Sequence, residues 1–362
     1  MNDKNKINLS FAAIDPTIQQ NKVLGIEKEY SGQDFVYWGE DNHYPAYLNN
    51  LYLNTPTLQS VINTCVDYIC GNGTISKNPI ISNDDMEVVL YEMALSYMKY
   101  GGFAINVLRN RIGQISKLCV MDYMKIRVSK NGKHIYFAEN YTNKAYARMK
   151  WKEVELFDKD KVQMNSVFYY KNSKYTTYPI PVYSAAITAC ELERSIDDYH
   201  LNSINNGFMG SVIVNLNNGI PTDEQQEEIA RNFNEKFSGK ENAGRVVISY
   251  SEDKDHQASI EKVETEDFSE RYQSLAKRSQ QAIFTAFRIT PTLCGIPTEN
   301  DGFNSEEYDG QFKLFNRTVI YPIQKKLIHA LKEIGVKVTI KPFAIDLLEE
   351  ENNDEKIDKK VE

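Results

Sequence analysis

The sequence predicts an α+β fold built from more than one subdomain, and three observations carry that prediction. Helix-period segments gather before residue 101 and after residue 183, while short strand patterns fill 103–172 between them. Two helix patterns of nearly equal length, about 183–206 and 267–289, bracket a small α/β segment at 207–266. The chain also has 362 residues, more than one compact core usually organises.

Residues 1–40 offer only sparse strand pieces such as DFVYWG. In TPTLQSVINTCVDYICGNG, Thr55 reads as an N-cap, Pro56 as the first helical residue and Gly71 as the stop. Leu58, Val61, Ile62, Cys65, Val66 and Ile69 give that helix one apolar face. A further helix is expected over Asp84–Tyr100, ended by Gly101 and Gly102. The strand patterns FAINVLRN, ISKLCVM, KIRVS, HIYFA, KEVELF and SVFYY follow. With Lys130-Asn131-Gly132-Lys133 as a hairpin turn, they predict an antiparallel unit.

Pro179 and Pro181 then force extended backbone before the helix at 183–206, whose narrow apolar stripe is Ala185, Ala189, Leu192, Ile196 and Tyr199. In the insert, SVIVNL is a strand and Thr222 with Gln225 forms a capping box for a helix carrying Ile229, Phe233 and Phe237. GRVVISY and ASIEKVE are two more strands, joined by the charged turn SEDKDH. The returning helix at 267–289 places Phe268, Tyr272, Leu275, Ala276, Ser279, Ile283 and Phe287 at helical spacing. The pair reads as a stalk carrying a head, with the stretch 290–303 at the other end of the stalk. A loop of that length between helices is a linker, a mobile excursion or a working part. Beyond it, Asn304 with Glu307 caps a pattern running from Tyr308 through Phe312, Phe315, Val319, Ile323, Leu327 and Leu331 to Ile334. Pro322 should kink or split that helix, Gly335 stops it, and VKVTIKPF is a last strand.

Composition excludes several functions. Hydrophobic residues at 41% and 23 tyrosines belong to a folded chain. The net charge is −8, of which the last 17 residues, Asp346–Glu362, contribute −5 as a solvated tail expected to be disordered. The remaining −3 is not the charge of a high-affinity nucleic-acid binder, which carries a basic excess. No apolar run reaches the ~18–20 residues of a membrane helix, and the polar start MNDKNKINLS is no signal peptide, so synthesis in the cytosol without membrane contact is expected.

Catalytic, cofactor and metal motifs are missing. Neither GxxxxGK[ST] nor GxSxG occurs, and GNGTIS lacks the third glycine of a dinucleotide loop. Cys65, Cys70, Cys119, Cys190 and Cys294 form no CxxC pair, and read as buried free thiols. His43, His134, His200, His256 and His329 have no metal-spaced partners. Asp41 beside His43 suits a helix N-terminus better than acid–base work. KAYARMKWK sets Lys144, Arg148, Lys150 and Lys152 beside Tyr146 and Trp151, a mixture able to bind single strands, although an exposed strand edge guarded by lysines is the plainer reading.

Four segments together resemble the portal proteins of tailed bacteriophages. They are WGEDNHYPAYLNNLYLNTPTLQSVINTCVDYICGNG, YGGFAINVLRNRIGQISKLCVMD, PVYSAAITACELERSIDDYHLNSINNGFMGSVIV, and RYQSLAKRSQQAIFTAFRITPTLCGIP with GFNSEEYDGQFKLFNRTVIYPIQKKL. Each alone is unspecific; the resemblance lies in their order over about 35–343. It implies a portal-like α+β architecture with a wing at 1–182 and 304–345, stem helices at 183–206 and 267–289, a clip at 207–266 and a tunnel loop at 290–303. The chain is short for the family, and the acidic tail at 346–362 leaves the crown minimal or absent.

Function follows from the same resemblance: a ring, expected to be a 12-mer, at one capsid vertex of a virion, assembled in the host cytoplasm. Double-stranded DNA would pass through it without sequence preference, driven in by the terminase large subunit and released through a head–tail adaptor. The major capsid and scaffold proteins would be further partners. The expected tunnel-loop residues are Pro297, Thr298, Glu299, Asn300, Asp301 and Gly302. Arg194, Lys277 and Arg278 are the candidate channel-facing stem residues, unless they pair with acids such as Asp197, Asp198 or Glu270 of a neighbour. Asn217, Asn218, Glu252, Asp253 and Lys254 are the expected clip contacts. Two other readings compete: an adaptor binding a partner through 207–266, and a metal-dependent nucleic-acid enzyme using Asp41, Glu299 and Asp301.

Overall fold

A computed structural model describes residues 27–32, 34–139, 141, 151–205, 212–216, 221–229, 246–250, 268–296 and 305–343. It divides into two compact units, one formed by 1–186 with 284–362 and the other by 187–283.

The first unit is organised around one buried helix. Helix α1 (Tyr44–Asn54) leads into α2 (Pro56–Cys70), and α3 (Asn83–Tyr100) packs against both. On α2, Leu58, Val61, Ile62, Cys65, Val66 and Ile69 are fully buried, together with nearly all of Tyr68, so the helix is covered on several sides. Pro56 stands at the first position of α2, but Thr55 makes no side-chain cap; its hydroxyl is buried without a partner. The cap of α3 lies one residue earlier than the sequence suggested. Ser82 Oγ accepts the Asp85 amide proton at 3.1 Å, the N-cap half of a capping box, and donates to Asp85 Oδ2 at 2.7 Å.

The strands are antiparallel and form two three-stranded sheets. β4 (Gly102–Arg109) lies between β5 (Ile115–Met121) and β9 (Asn165–Lys171), with Ile105 opposite Val120 and Phe168. Phe103, Ala104, Ile105 and Val107 are all buried, because β4 is covered on both faces. The second sheet orders β6 (Ile126–Val128), β7 (His134–Phe137) and β8 (Lys152–Glu155). Two short pairs complete the unit: β1 (Glu27–Lys28) with β2 (Tyr37–Trp38), and β3 (Thr74–Ser76) with the last strand β12 (Val338–Ile340). Trp38 stacks on Tyr178 at 4.6 Å and 4°. Beside them the buried guanidinium of Arg127 donates to the Asn42 side chain and to the carbonyls of Asn42, Met124 and Ile126, and lies 4.4 Å from the Tyr141 ring centre. No carboxylate supplies those bonds, so hydrogen bonds and the Tyr141 ring offset the desolvation of this charge.

In the second unit, α4 (Ile187–Asn205) begins four residues later than expected, after a 3₁₀ turn at Ser184–Ala186. That turn rotates about 120° per residue, so the phase read from Ala185 is not carried into the helix. The buried positions are Cys190, Glu193 and Ile196, whereas Ala185 and Tyr199 of the expected stripe are exposed. β10 (Val212–Leu216) and β11 (Val246–Tyr250) pair in parallel, with a helix starting at 223 between them in sequence. Its capping box is half present, Thr222 N donating to Gln225 Oε1 at 3.2 Å. The returning helix α5 spans Phe268–Phe287.

Pro322 splits the last long helix. α6 (Ser305–Phe315) passes through a π-turn at Asn316–Ile320 into α7 (Tyr321–Ile334). A proline inside an α-helix lacks the donor and crowds the carbonyl four residues back. Widening the preceding turn removes that crowding, and Tyr321 N bonds to Asn316 O, five residues earlier.

Gly101 ends α3 at φ 85° and sits against the Ile180 carbonyl, which a Cβ would overlap. Gly101→Ala should therefore destabilise the protein by about 2–4 kcal/mol. A thermal melt no lower than wild type would show that this close approach does not fix the α3–β4 corner.

Candidate channel elements

Two places in the fold bear on the expected channel: the helices of the second unit, and the flanks of the segment 297–304. Within the second unit α4 and α5 meet through aromatic rings. Tyr199 stacks on Tyr272 at 4.8 Å and 27°, and the His200 imidazole meets Tyr272 edge-on at 5.6 Å. Arg194 Nε is 3.8 Å from Asp198 Oδ2 one turn along the same helix, and both side chains are about half exposed or more. An exposed pair at that separation contributes little, under about 1 kcal/mol. Lys277 and Arg278 are exposed on α5. Of the expected clip contacts, Asn217, Asn218, Glu252, Asp253 and Lys254 lie outside the described residues, as does ASIEKVE.

The first half of the stretch 290–303 is built structure. Helix α5 ends in a Schellman motif: Arg288 N bonds to Thr285 O and Ile289 N to Phe284 O, both at 3.1 Å. Arg288 occupies its left-handed position at φ 57°, where glycine is usual. Ile289 and Phe284, the apolar pair of the motif, are both buried. Thr290 Oγ1 then donates to Gln311 Oε1 of α6 at 2.6 Å. Pro291–Cys294 form a 3₁₀ turn closed by Gly295 at φ 72°, with Ile296 N returning to Pro291 O. Residues 297–304 follow, outside the described residues together with Pro297, Thr298, Glu299, Asn300, Asp301, Gly302 and the expected cap Asn304.

Tyr68 joins the two flanks. Its hydroxyl donates to Leu293 O at 3.0 Å, before the segment, and lies 3.2 Å from the Tyr308 hydroxyl, after it. The ring packs edge-on against Phe312, Phe315 and Phe343, at 5.5, 6.1 and 4.9 Å. Burial, with Tyr308 beside it, drives the Tyr68 hydroxyl far above the usual tyrosine range, so it stays a neutral donor. Leu293, two residues from Gly295, is buried beneath the same helix. The ends of the eight-residue segment are thus fixed to α2 and to each other. Sequence reading missed Tyr68, Arg288 and Gln311. A tyrosine within an apolar helical stripe was the available signal, since its buried hydroxyl has to find a partner.

The other sequence candidates take structural roles. The Trp151 ring is spent against Phe35 at 5.1 Å and Tyr136 at 5.6 Å, and Lys152 starts β8; Lys144, Tyr146, Arg148 and Lys150 lie outside the described residues. Asp41 Oδ1 accepts the amide proton of His43, the residue preceding α1. All five cysteines are free, and burial pushes Cys70 and Cys190 up to about 12 and Cys294 to about 11, which leaves those thiols unreactive at neutral pH. Among the described residues no three His, Cys, Asp or Glu side chains are placed to hold a metal ion, and no helix is long and apolar enough to cross a membrane.

A mixed α+β body with a small parallel-stranded unit inserted between two long helices defines the structural class, and known proteins share it. Residues 80–335 match the family model described as phage portal protein. The chain therefore belongs to the phage portal protein family, a family of structural proteins of phage particles. The fold is similar to a chain in the virion of a native gene transfer agent particle, with TM-score 0.53, 12% identity and coverage of 96% and 94% of the two chains. A chain in the neck of that native particle, computed with C12 symmetry, gives TM-score 0.54 at 13% identity, covering 90% of each. In sequence, 150 residues are 29% identical to an uncharacterised protein of Rickettsia felis, covering 41% of this chain and only 37% of that relative.

Replacing Tyr68 by Phe removes the donor to the Leu293 carbonyl and should cost about 1–2 kcal/mol. Limited proteolysis should then cut faster between 289 and 308; unchanged melting and cleavage would show that the hydroxyl does not hold the flanks. Arg288→Gly should raise stability by up to about 1 kcal/mol, because glycine takes the left-handed conformation without strain. A lower melting temperature would mean that the arginine side chain contributes more than its backbone costs.

Proposed function

We propose that this protein is the portal ring of a tailed phage or phage-like particle: a conduit through which double-stranded DNA enters the capsid and later leaves it. The family membership of residues 80–335 carries the reading. In this assignment residues 183–206 and 267–289 are the stem, 207–266 the clip, 290–303 the tunnel loop, and 1–182 with 304–345 the wing. The clip takes the terminase large subunit during packaging and the head–tail adaptor afterwards. The ring sits at one vertex, among the major capsid and scaffold proteins, after assembly in the host cytoplasm. Its role is structural, with no catalytic step.

Charge supports the conduit. The net charge of −8 gives no basic surplus for gripping phosphates, and Glu299 and Asp301 in the tunnel segment repel them. A channel that neutralised many phosphates would bind DNA in proportion to the contacts made and would resist each translocation step. Lys277 and Arg278 on α5 are the basic groups assigned to brief contacts with the passing duplex. The fixed flanks suit a tunnel loop, because a segment held at both ends can bear on DNA without being dragged along it.

Native mass spectrometry and electron-microscope class averages of the purified chain test this reading. Twelve chains of 41.7 kDa give an annular particle of about 500 kDa with a central hole. A monomer or dimer that never closes into rings, even with capsid and scaffold proteins present, would sink it and favour the adaptor reading.

A further inference from the structure

Two exposed stripes of the first unit carry opposite charge around apolar centres. The first runs along α3 through Asp84, Val88, Tyr91, Glu92 and Leu95. Val88 is 58% and Tyr91 43% exposed, far from the usual burial of such side chains in a helix that packs on two others. Asp67 of α2 acts on Tyr91, and Asp122 stands at the far end. There a cavity of about 200 Å³ is lined by Glu92, Leu95, Lys99, Val120, Met121 and Asp122. Its one cation is committed inward: Lys99 Nζ donates to Asn49 Oδ1 and lies over the rings of Tyr52 and Tyr100.

The second stripe follows α6, the π-turn and α7 through Lys313, Leu314, Arg317, Tyr321 and Lys325. Leu314 is 65% and Tyr321 54% exposed, and Lys325 Nζ sits 4.9 Å above the Tyr321 ring. The nearby acids are Asp309, one turn before Lys313, and Glu333, which lies 3.5 Å from His329.

The stripes face away from each other. Lys326 Nζ of α7 donates to the Tyr97 hydroxyl of α3 at 2.9 Å, which marks where these helices meet. At about 100° per residue, Tyr97 lies roughly 160° around α3 from the centre of the acidic stripe, and Lys326 roughly 120° around α7 from the basic one. Two complementary surfaces on opposed flanks of one molecule cannot satisfy each other within it. They fit a head-to-tail contact between copies, the heterologous kind that closes a ring.

We propose that the α3 stripe of one copy docks on the α6–α7 stripe of the next, and that this contact closes the ring. The inference rests on the portal reading and adds which surfaces meet. Large apolar side chains then sit at the centre of the contact, with opposite charges at its rim, as protein interfaces are built.

Charge exchange in the full-length chain tests it. One variant carries Asp67→Lys with Glu92→Lys, which puts two lysines into the acidic stripe and leaves the basic one intact; the other carries Arg317→Glu with Lys325→Glu, which puts two glutamates into the basic stripe and leaves the acidic one intact. All four positions are exposed, and a thermal melt confirms that each variant folds. Each alone should lose at least tenfold in ring fraction by native mass, while an equimolar mixture should restore rings containing equal numbers of the two. A general loss of stability would not be repaired by mixing. Rings from either folded variant alone at wild-type yield, or no rings from the mixture while wild type assembles, would overturn the pairing. A wild-type chain that forms no ring, even with capsid and scaffold proteins present, would overturn the portal reading and this contact together.

Discussion

The arrangement depends on the burial of α2, and at its centre on the Tyr68 hydroxyl. Pinning that hydroxyl between the Leu293 carbonyl and Tyr308 ties together residues more than 220 positions apart in sequence from α2. Around it the Phe312, Phe315 and Phe343 rings exclude water, which strengthens the bonds they enclose and makes any unpaired polar atom there expensive. One apolar helix thereby defines where α5 ends, where the 3₁₀ turn sits and where α6 begins. The segment 297–304 inherits fixed ends from that packing, and not from its own sequence.

Two of the arginines are engaged within the chain. The exposed arginine of α4 is turned to Asp198 on its own helix, and the most buried cation, Arg127, is consumed by carbonyls and the Asn42 side chain. Arg127 is buried away from any phosphate, whereas the pair made by Arg194 is exposed and weak. Surface charge is instead divided between stripes of opposite sign, which suits contact between like copies better than retention of a polyanion.

Much of the fold could be read from the sequence, and the failures have local causes. β5 was bounded to the residue and β4 to within one, because glycine and polar turn residues interrupt runs of strand-forming side chains there. In the α4 stripe Ala185 was misplaced because it falls in a 3₁₀ turn before the helix, while within the helix Ile196 is buried as expected and Tyr199 is exposed. The Ser82 cap was not read from the sequence, although Ser-x-x-Asp is visible one residue before the expected helix start. Pro322 did predict a break, but not that the chain would absorb it as a π-turn and keep running. The family followed from the order of segments; the flanks of 297–304 did not, because Tyr68 acts there through contacts far away in sequence.

Three departures from local preference lie at the start of α2 or near the flanks of 297–304. Thr55 buries an unpaired hydroxyl at the start of α2, Arg288 holds a left-handed conformation after α5, and Asn316–Ile320 widen the helix that lies against α2. Strain of this kind costs on the order of 1 kcal/mol or more per site and survives where surrounding packing over-determines the backbone. Two of the three lie on either side of 297–304. A glycine after α5 would have relieved the first, and a straight α6–α7 helix would have avoided the second but moved Tyr308 and Gln311 relative to Leu293 and Thr290. The π-turn keeps Tyr308 and Gln311 where the bonds to Tyr68 and Thr290 need them, whereas at 288 a glycine would hold the same left-handed conformation at less cost.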